Sequence, residues 1–325
     1  MTGREDSVGH GRDVVPMAGA VAAGVGLALQ SRLNGELGSR VGDGITATLA
    51  STSVGLILLL AVVPLLSAGR RGLRLVHAAV RVGELRWWHL TGGVCGAVFV
   101  AGQGISVGSV GVAVFTVAVV GGSAVGGLVV DRYWGGRPIT MARTAGAVAC
   151  VAAVAVAGHG VWRGPGVLAL VALPVLAGVA IAIQAALNGR VGAVAESPWP
   201  STMVNFAVAA VSLAVALTAR VAFGGGMPGN LPAEPLLYLA GVIGVGIIAV
   251  ATIVVRRIGV LLFGLASVAG QLAGAVLLDA ITPGPRPSAA TIAGVAITFL
   301  ALVLAARTAT AQPPRYRGHA RCDDA

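Results

Sequence analysis

The sequence predicts an all-α integral membrane protein with ten transmembrane helices, arranged as two inverted repeats of five helices each. Three observations support this prediction: the composition, the length of the apolar segments and an internal repeat. Of the 325 residues, 56% are hydrophobic and only 10% are charged, whereas a soluble domain carries about 25% charged residues. There is too little polar surface to cover a water-soluble fold, so we expect lipid around the chain.

The apolar segments are long enough to be membrane spans. A helix that crosses the hydrocarbon core of a bilayer, about 30 Å thick, needs about 20 mostly apolar residues. Ten segments meet this criterion: 14–36, 44–67, 87–108, 110–130, 143–162, 167–190, 200–222, 235–255, 258–279 and 288–307. The first follows a mixed-charge stretch and lacks a clear cleavage site, so we expect it to be a retained helix rather than a signal peptide.

The arginines predict the orientation, because basic residues near the ends of spans are held on the cytoplasmic side. With the N-terminus in the cytoplasm, most of the arginines fall on that side. Both termini are therefore predicted to be cytoplasmic, with tails at 1–13 and 308–325. The loop 69–86 carries five arginines and is predicted to rest on anionic lipid headgroups.

An internal repeat relates the two halves of the chain. The stretch from Gly24 to Gly35 matches the stretch from Gly178 to Gly189 at a constant offset of 154, and residues 111–131 match 259–279 at an offset of 148. We therefore place the first repeat at 14–162 and the second at 163–307. Since each repeat contains five predicted spans, the second must enter the membrane in the opposite orientation, which is the plan of many secondary transporters.

Three short motifs carry a family resemblance. Gln-x-x-x-Asn-Gly begins at Gln30 and again at Gln184, and two glycine-rich segments, 126–135 and 270–279, end the fourth and ninth spans. Over residues 14–307 the chain resembles the drug/metabolite transporter superfamily and, within it, the YdcZ-like branch of bacterial inner-membrane proteins. Ser123 stands where the second half has Gln271, so the two halves are not expected to contribute equally to a site.

The resemblance implies a fold and an activity. We expect a ten-helix protein of the bacterial cytoplasmic membrane with a central cavity between its halves, which opens alternately to either side. The expected activity is secondary transport of small molecules, in most members export. The alternative is a membrane scaffold or assembly protein that carries no flux.

Polar side chains within the predicted spans are the candidate functional residues, because polar groups in hydrocarbon are costly. Gln30 and Asn34 are four residues apart and share a helix face, as do Gln184 and Asn188. The first pair lies near the outer end of its span and the second near the inner end, which suits two gates or two walls of one cavity. Alternatively, these amides hydrogen-bond between helices as structural links or cap helix ends.

Three further amides are candidates for substrate contact. Gln271 lies near the middle of the ninth span, where an unsatisfied amide would be expensive, and it is the first candidate. Gln103 lies near the outer end of the third span, and Asn205 lies in the inner part of the seventh. A lone amide is easily satisfied by a neighbouring helix, so the last two are weaker candidates.

The carboxylates lie near the span ends, and no charged residue lies in the middle third of any predicted span. This distribution favours neutral, zwitterionic or amphiphilic substrates. If transport is coupled to protons, Glu36, Asp131 or Asp279 would have to carry the proton; otherwise the protein is a facilitator. Asp131 and Asp279 end equivalent helices, where they are expected to act either as ion pairs that fix the helix end or as an ion-responsive gate.

Other classes of function find no support in the sequence. The histidines and cysteines lack the spacing of metal ligands, no catalytic group emerges, and no cofactor is implied. The basic residues are not gathered into a patch of the kind that binds nucleic acid. The expected partners are therefore a small-molecule substrate and the lipid bilayer, and a homodimer is one assembly that the sequence allows.

Overall fold

The computed structural model describes residues 6–133, 165–227 and 229–281, together with parts of 141–156 and 288–300. Within these ranges the chain is helical apart from short turns and loops, and it contains no β-strand. The α-helices with defined bounds are α1 (Asp6–Val41), α2 (Gly44–Val62), α3 (Ser67–Arg81), α4 (Gly92–Val110), α5 (Val112–Tyr133), α6 (Pro165–Val194), α7 (Pro198–Ala222) and α8 (Leu239–Ile281). Short 3₁₀ helices, Trp87–Thr91 and Pro235–Tyr238, precede α4 and α8.

The helices follow the predicted spans. Five described segments are long and apolar enough to cross a membrane: Gly44–Val62, Trp87–Val110, Val112–Val130, Ala172–Val194 and Pro198–Ala222. α1 begins at Asp6, inside the segment predicted to be an N-terminal tail. The fifth and tenth predicted spans lie largely outside the described residues, as does the C-terminal tail.

Segment 69–86 is mainly a helix, and its prediction as a loop was wrong. α3 has small or apolar residues at positions 69, 72, 76 and 79, all of them buried. This spacing of three and four residues places them on one helix face. A second stripe, Arg70, Arg74, His77 and Arg81, is exposed to solvent. The many arginines of this segment had suggested a surface loop, but the segment forms an amphipathic helix.

α8 covers both the eighth and the ninth predicted spans, but the chain reverses direction within it. In its first part, Ile247 lies beside Gly26 and Val254 lies beside Gly19, so this part runs antiparallel to α1. In its second part, Gly270 lies against Val21.

The residue four positions further along α8, Gly274, lies against Val25 of α1. The second part therefore runs parallel to α1, and the reversal falls between Val254 and Gly270. The eighth and ninth predicted spans are thus two helical stretches that run in opposite directions within the range Leu239–Ile281.

Glycines let the helices of the two halves cross in close contact. α1 of the first half packs mainly against α8 of the second, and α6 of the second half packs against α4 and α5 of the first. A methyl group on Gly24 would overlap the carbonyl oxygen of Ser267, and one on Gly178 would overlap that of Val119. Such close approach of backbones requires small residues at the crossing.

These two crossings are equivalent under the offsets of the sequence repeat. Gly24 and Gly178 differ by 154 residues, and their contacts Val119 and Ser267 differ by 148. The same holds for Gly122 and Gly270, which lie against Val175 and Val21, respectively. The first helix of each half, α1 or α6, therefore packs against a late helix of the other half, α8 or α5.

Candidate functional site

A cavity of about 170 Å³ lies where α1, α2 and α4 meet α6, α7 and α8. Its position follows from the helix crossings, because the six helices that surround it come equally from the two halves. The apolar wall is formed mainly by Leu27, Phe99, Val100, Ile181, Ile247 and Ile248. The remaining lining residues are Phe206, glycines, Ala209 and the polar side chains described below.

The lining residues form pairs under the repeat offsets. The polar or small pairs are Gln30 with Gln184, Ser51 with Asn205, and Gly96 with Gly244. The apolar pairs are Leu27 with Ile181, Phe99 with Ile247, and Val100 with Ile248. The cavity therefore lies between positions that are equivalent under the sequence repeat.

In the first half, the polar side chains beside the cavity form a continuous hydrogen-bonded chain. Ser51 donates its hydroxyl to the Asn34 carbonyl (2.8 Å), and the Asn34 amide donates to the Gln103 carbonyl (2.7 Å). The Gln103 amide in turn donates to the hydroxyl of Ser31 (2.8 Å). Gln103 is fully buried and Asn34 nearly so. This chain ties α1, α2 and α4 together near the predicted outer side.

In the second half, a different set of residues does the same for α6 and α7. The Gln184 amide donates to Asn205 Oδ1 (2.9 Å), and the Asn188 amide donates to the same oxygen (3.0 Å). Position 205 corresponds to Ser51 in the first half, whereas Gln103 and Ser31 correspond to Ala251 and Ala185. The halves share an architecture, but their hydrogen bonds differ.

Gln30 departs from its counterpart Gln184. It is 7% exposed and lines the cavity, yet within the described part of the chain its side chain makes no hydrogen bond. The residue that corresponds to Asn205 in the first half is Ser51. Its side chain is short, and its hydroxyl already donates a hydrogen bond to Asn34. The Gln30 amide Nε2 lies beside Gly244, where an added methyl group would come within 3.1 Å of it. Gln30 is thus a buried amide that faces the cavity with its hydrogen-bonding groups free.

Gln271, the first candidate from the sequence, is not among the described residues that line the cavity. It is buried at the crossing of α1 and α8, where its backbone nitrogen lies 2.7 Å from the position of a methyl group on Gly24. Its counterpart Ser123 bonds to the backbone of its own helix, with the hydroxyl donating to the Val119 carbonyl (2.6 Å). The depth of Gln271 in its predicted span had suggested a substrate contact. Whether a side chain reaches the cavity, however, depends on the helix face that it occupies.

The charged residues lie outside the cavity, and no charged side chain is among its described lining residues. At the predicted outer end, Glu36 pairs with Arg40 at 2.8 Å and with Arg32 at 4.0 Å, and Arg40 also reaches Glu234 at 3.0 Å. The hydrogen bond that Arg40 donates to the Glu36 carboxylate raises the pKa of Arg40 above its ordinary value. Glu36 therefore belongs to an ion-pair network that links α1 to the loop before α8.

Asp279 caps the start of a helix in the other half. Its carboxylate accepts hydrogen bonds from the backbone N–H groups of Val112 (3.2 Å) and Ala113 (2.8 Å). A carboxylate at a helix N-terminus is favoured by the helix dipole and by the unpaired N–H groups there. Gly111, just before α5, has a φ of 82°, which a residue with a Cβ atom rarely adopts. The side chain of Asp131 lies outside the described residues.

Comparison with family models shows the protein family of the chain. The model described as "Putative inner membrane exporter, YdcZ" matches residues 15–156 and 169–304. The chain belongs to the DMT_YdcZ family. The two matched stretches correspond to the two predicted repeats, and the resemblance to the YdcZ-like branch is confirmed. A search of the curated proteins found no match.

Membership in DMT_YdcZ makes this chain a multi-pass protein of the inner membrane and a transporter of the exporter type. An exporter family is not a class of enzymes. The family match does not distinguish individual residues, so the roles of the cavity side chains rest on geometry. Sequence reasoning had named Gln30, Asn34, Gln184 and Asn205 but had missed the hydroxyls of Ser51 and Ser31, which the repeat offset from Asn205 and the polar face of α1 could have indicated.

Proposed function

We propose that the chain is a secondary transporter that exports small neutral, zwitterionic or amphiphilic molecules by alternating access. In this proposal the ten predicted spans form two inverted five-helix repeats, 14–162 and 163–307, with both termini in the cytoplasm. The cavity between the halves is the substrate site. The equivalent helix crossings, the two matches to one family model and the positions of the arginines support this arrangement.

One asymmetry carries the proposal. Gly35, at the predicted outer end of α1, is buried, and a methyl group there would come within 2.6 Å of Val107 on α4. Its counterpart Gly189, at the predicted inner end of α6, is exposed, and a methyl group there would meet no described residue within 4 Å. This difference between equivalent positions supports a cavity that is closed near one end and open near the other.

This asymmetry is what an alternating-access transporter requires in a single state. With the predicted orientation, the closed end would face outward and the open end the cytoplasm, and in this proposal we assign the structure to an inward-facing state. The outward-facing state would follow if α6 packed at Gly189 as α1 packs at Gly35. The two amide pairs then act as the walls nearest the two gates.

The proposal also gives the Arg-rich surface of α3 a role in contact with the membrane. Arg70, Arg74, His77 and Arg81 form an exposed stripe on a helix that lies at the predicted cytoplasmic face. We propose that this stripe contacts anionic lipid headgroups, since an amphipathic helix with a basic face binds at the membrane surface. The opposite face of α3 packs on the α6–α7 connection, where Arg71 pairs with Glu196 at 2.6 Å.

The proposal is tested by filling the cavity. Gly244 lines it, whereas Gly246 on the same helix is exposed and has open space around it. Gly244→Leu should abolish efflux from proteoliposomes or cells that contain the purified or expressed protein, and Gly246→Leu should leave efflux unchanged. If both variants fold and neither changes efflux of any compound that the wild type moves, transport does not pass through this cavity. If the wild type moves nothing in a broad panel of compounds, the scaffold function takes its place.

A further inference from the structure

Two polar side chains of the cavity wall, Gln30 and Thr52, have all their hydrogen-bonding groups free among the described residues. Gln30 is 7% exposed and Thr52 is 5% exposed, and both line the cavity. In the part of the chain that the structure describes, neither side chain makes a hydrogen bond. Both side chains reach the volume of the cavity, since neither is among the fully enclosed polar groups without a partner in the described residues. Two such groups that line one cavity can exchange hydrogen bonds with a ligand that enters it.

The rest of the wall restricts the chemistry of that ligand. Phe99, Phe206, Ile247 and Ile248 line the cavity, and no charged side chain is among its described lining residues. An ion placed there would lose its hydration without gaining a counter-charge, which is a heavy penalty. The body of the ligand is therefore apolar, and its polar group is neutral.

The volume limits the size of the ligand. The cavity measures about 170 Å³, and an apolar protein cavity of about 150 Å³ holds one benzene molecule. There is room for one six-membered ring with a small substituent. The glutamine amide offers N–H donors and a carbonyl acceptor, so the substituent that satisfies it best also donates and accepts.

We propose that the cavity binds uncharged compounds with a single aromatic ring and one carboxamide or hydroxyl group, and that Gln30 recognises this group. The ring packs between Phe99 and Phe206, and the polar group exchanges hydrogen bonds with the Gln30 amide, with the Thr52 hydroxyl nearby. Gln184 is less suited to this role because its amide already donates to Asn205 at 2.9 Å. The proposal rests on the proposed function in taking this cavity as the transport site.

The experiment compares four probes of similar size on the purified full-length protein: benzamide, toluene, benzoate and benzylamine. Binding is measured by calorimetry and by thermal stabilisation. We expect benzamide to bind about tenfold more tightly than toluene, which corresponds to one or two net hydrogen bonds, and benzoate and benzylamine to bind more weakly still. Gln30→Leu should remove the preference for benzamide over toluene while it keeps toluene binding.

Two further variants make the assignment specific. Gln30→Glu has nearly the same shape but carries a carboxylate, so it should shift the preference from benzamide to benzylamine. Thr218→Val is the matched control, because the Thr218 hydroxyl donates to its own helix at Ala214 (2.9 Å) on an exposed face, and it should leave all four affinities unchanged. Equal binding of benzamide and toluene to the wild type, or a benzamide preference that survives Gln30→Leu, would overturn the inference.

The transport assay separates this inference from the proposed function. If benzamide does not bind but Gly244→Leu abolishes efflux of another compound, the cavity is a transport site and the ligand class is wrong. If benzamide binds through Gln30 but no compound is moved, the ligand class stands and the transport function fails.

Discussion

Gln30 and Gln184 occupy equivalent positions on opposite walls of one cavity, but among the described residues only Gln184 donates a hydrogen bond to another side chain. Each amide nitrogen lies beside a glycine of the other half: a methyl group on Gly244 would come within 3.1 Å of Gln30, and one on Gly96 within 3.0 Å of Gln184. The difference arises from position 205, an asparagine that can accept from Gln184, and from its counterpart Ser51, which is too short and is held by Asn34. The repeat thus sets where the amides lie, and a single pair of unequal residues decides which amide is free.

Replacing Gly189 with leucine should stop transport without unfolding the protein. Gly189 is exposed in this structure, so the new side chain meets nothing here and the melting temperature should stay the same. In the outward-facing state, however, this position must pack closely, as Gly35 does against Val107. Gly189→Leu should therefore hold the protein in the inward-facing state, with efflux lost and ligand binding retained.

The matched comparison is the equivalent position in the first half. Gly35→Leu would collide with Val107 in the structure described here, so it should lower the melting temperature or favour the outward-facing state. Efflux by Gly189→Leu at the wild-type rate would contradict the assignment of an inner gate.

Replacing Gly178 with alanine should destabilise the crossing between α5 and α6. The added methyl group would overlap the carbonyl oxygen of Val119, a backbone atom that cannot move aside without shifting a helix. Overpacking of this kind costs about 1–3 kcal/mol, so a clear drop in the melting temperature in detergent is expected. Gly127→Ala on α5 is the control, because a methyl group there has open space; a drop of the same size in both variants would contradict the prediction.

The sequence could predict an all-helical membrane protein and several amides that line the cavity, because each depends on a local pattern or a fixed offset. Gln30 and Gln184 stand out as amides in apolar helices, and the offset of 154 predicts that they are equivalent. The depth of Gln271 in its span, by contrast, does not say which face it occupies. That face is set by the close approach of Gly24 to Ser267, a contact between distant parts of the chain.

Two features escaped prediction for different physical reasons. The Thr52 hydroxyl gave no signal, since serine and threonine in helices commonly bond to their own backbone, and the Ser51 hydroxyl could be found only through the repeat offset from Asn205. The helical character of α3 was present in the sequence as the spacing of Gly69, Gly72, Val76 and Ala79, but the arginines between them lowered the apparent hydrophobicity. The hydrogen bonds beside the cavity depend on equivalent positions that carry different residues, such as Gln103 and Ala251. The sequence alone does not show which side chains lie close enough to bond.

Replacing Asn205 with alanine should weaken the second half of the cavity. Asn205 Oδ1 accepts from both Gln184 and Asn188, so its removal leaves two amides without their acceptor. Hydrogen bonds between membrane helices contribute about 0.6 kcal/mol each on average, so a loss of about 1 kcal/mol and a lower melting temperature are expected.

The effect on transport should be distinct from the effect on stability. Once released, Gln184 becomes a free cavity amide like Gln30, so Asn205→Ala should broaden the range of amide ligands that bind. Ser212→Ala on the same helix is the control, because the Ser212 hydroxyl bonds only to the Val208 carbonyl of its own helix (2.7 Å). A melting temperature and ligand profile identical to those of this control would show that the Asn205 bonds contribute nothing.

Asp279 is expected to act on stability through the N-terminus of α5. Asp279→Ala removes the acceptor for Val112 and Ala113, and loss of such a cap costs about 1 kcal/mol. Asp279→Asn keeps one acceptor oxygen but loses the charge that interacts with the helix dipole, so its melting temperature should fall by less. Glu84→Ala, at an exposed position, is the control. If Asp279→Asn instead keeps full stability but abolishes a dependence of efflux on pH, Asp279 is the ion-responsive gate rather than a structural cap.

The exposed stripe of α3 should make activity depend on anionic lipid. Replacing Arg74 and Arg81 together with glutamine removes two of the charges that face away from the protein, each of which contributes about 1 kcal/mol to attraction toward an anionic surface. Wild-type protein should show faster efflux in liposomes that contain phosphatidylglycerol than in pure phosphatidylcholine, and the double variant should lose most of this difference.

The same test separates lipid contact from a purely structural role of α3. The helix packs on the α6–α7 connection through Gly72, where a methyl group would come within 2.7 Å of Pro200, and this contact does not involve Arg74 or Arg81. The double variant should therefore keep the wild-type melting temperature in neutral detergent. Because α3 joins the membrane surface to the connection between Asn188 and Asn205, lipid charge should change the rate of efflux rather than the affinity for ligand. An unchanged lipid dependence in the double variant would place the contact with anionic headgroups elsewhere on the protein.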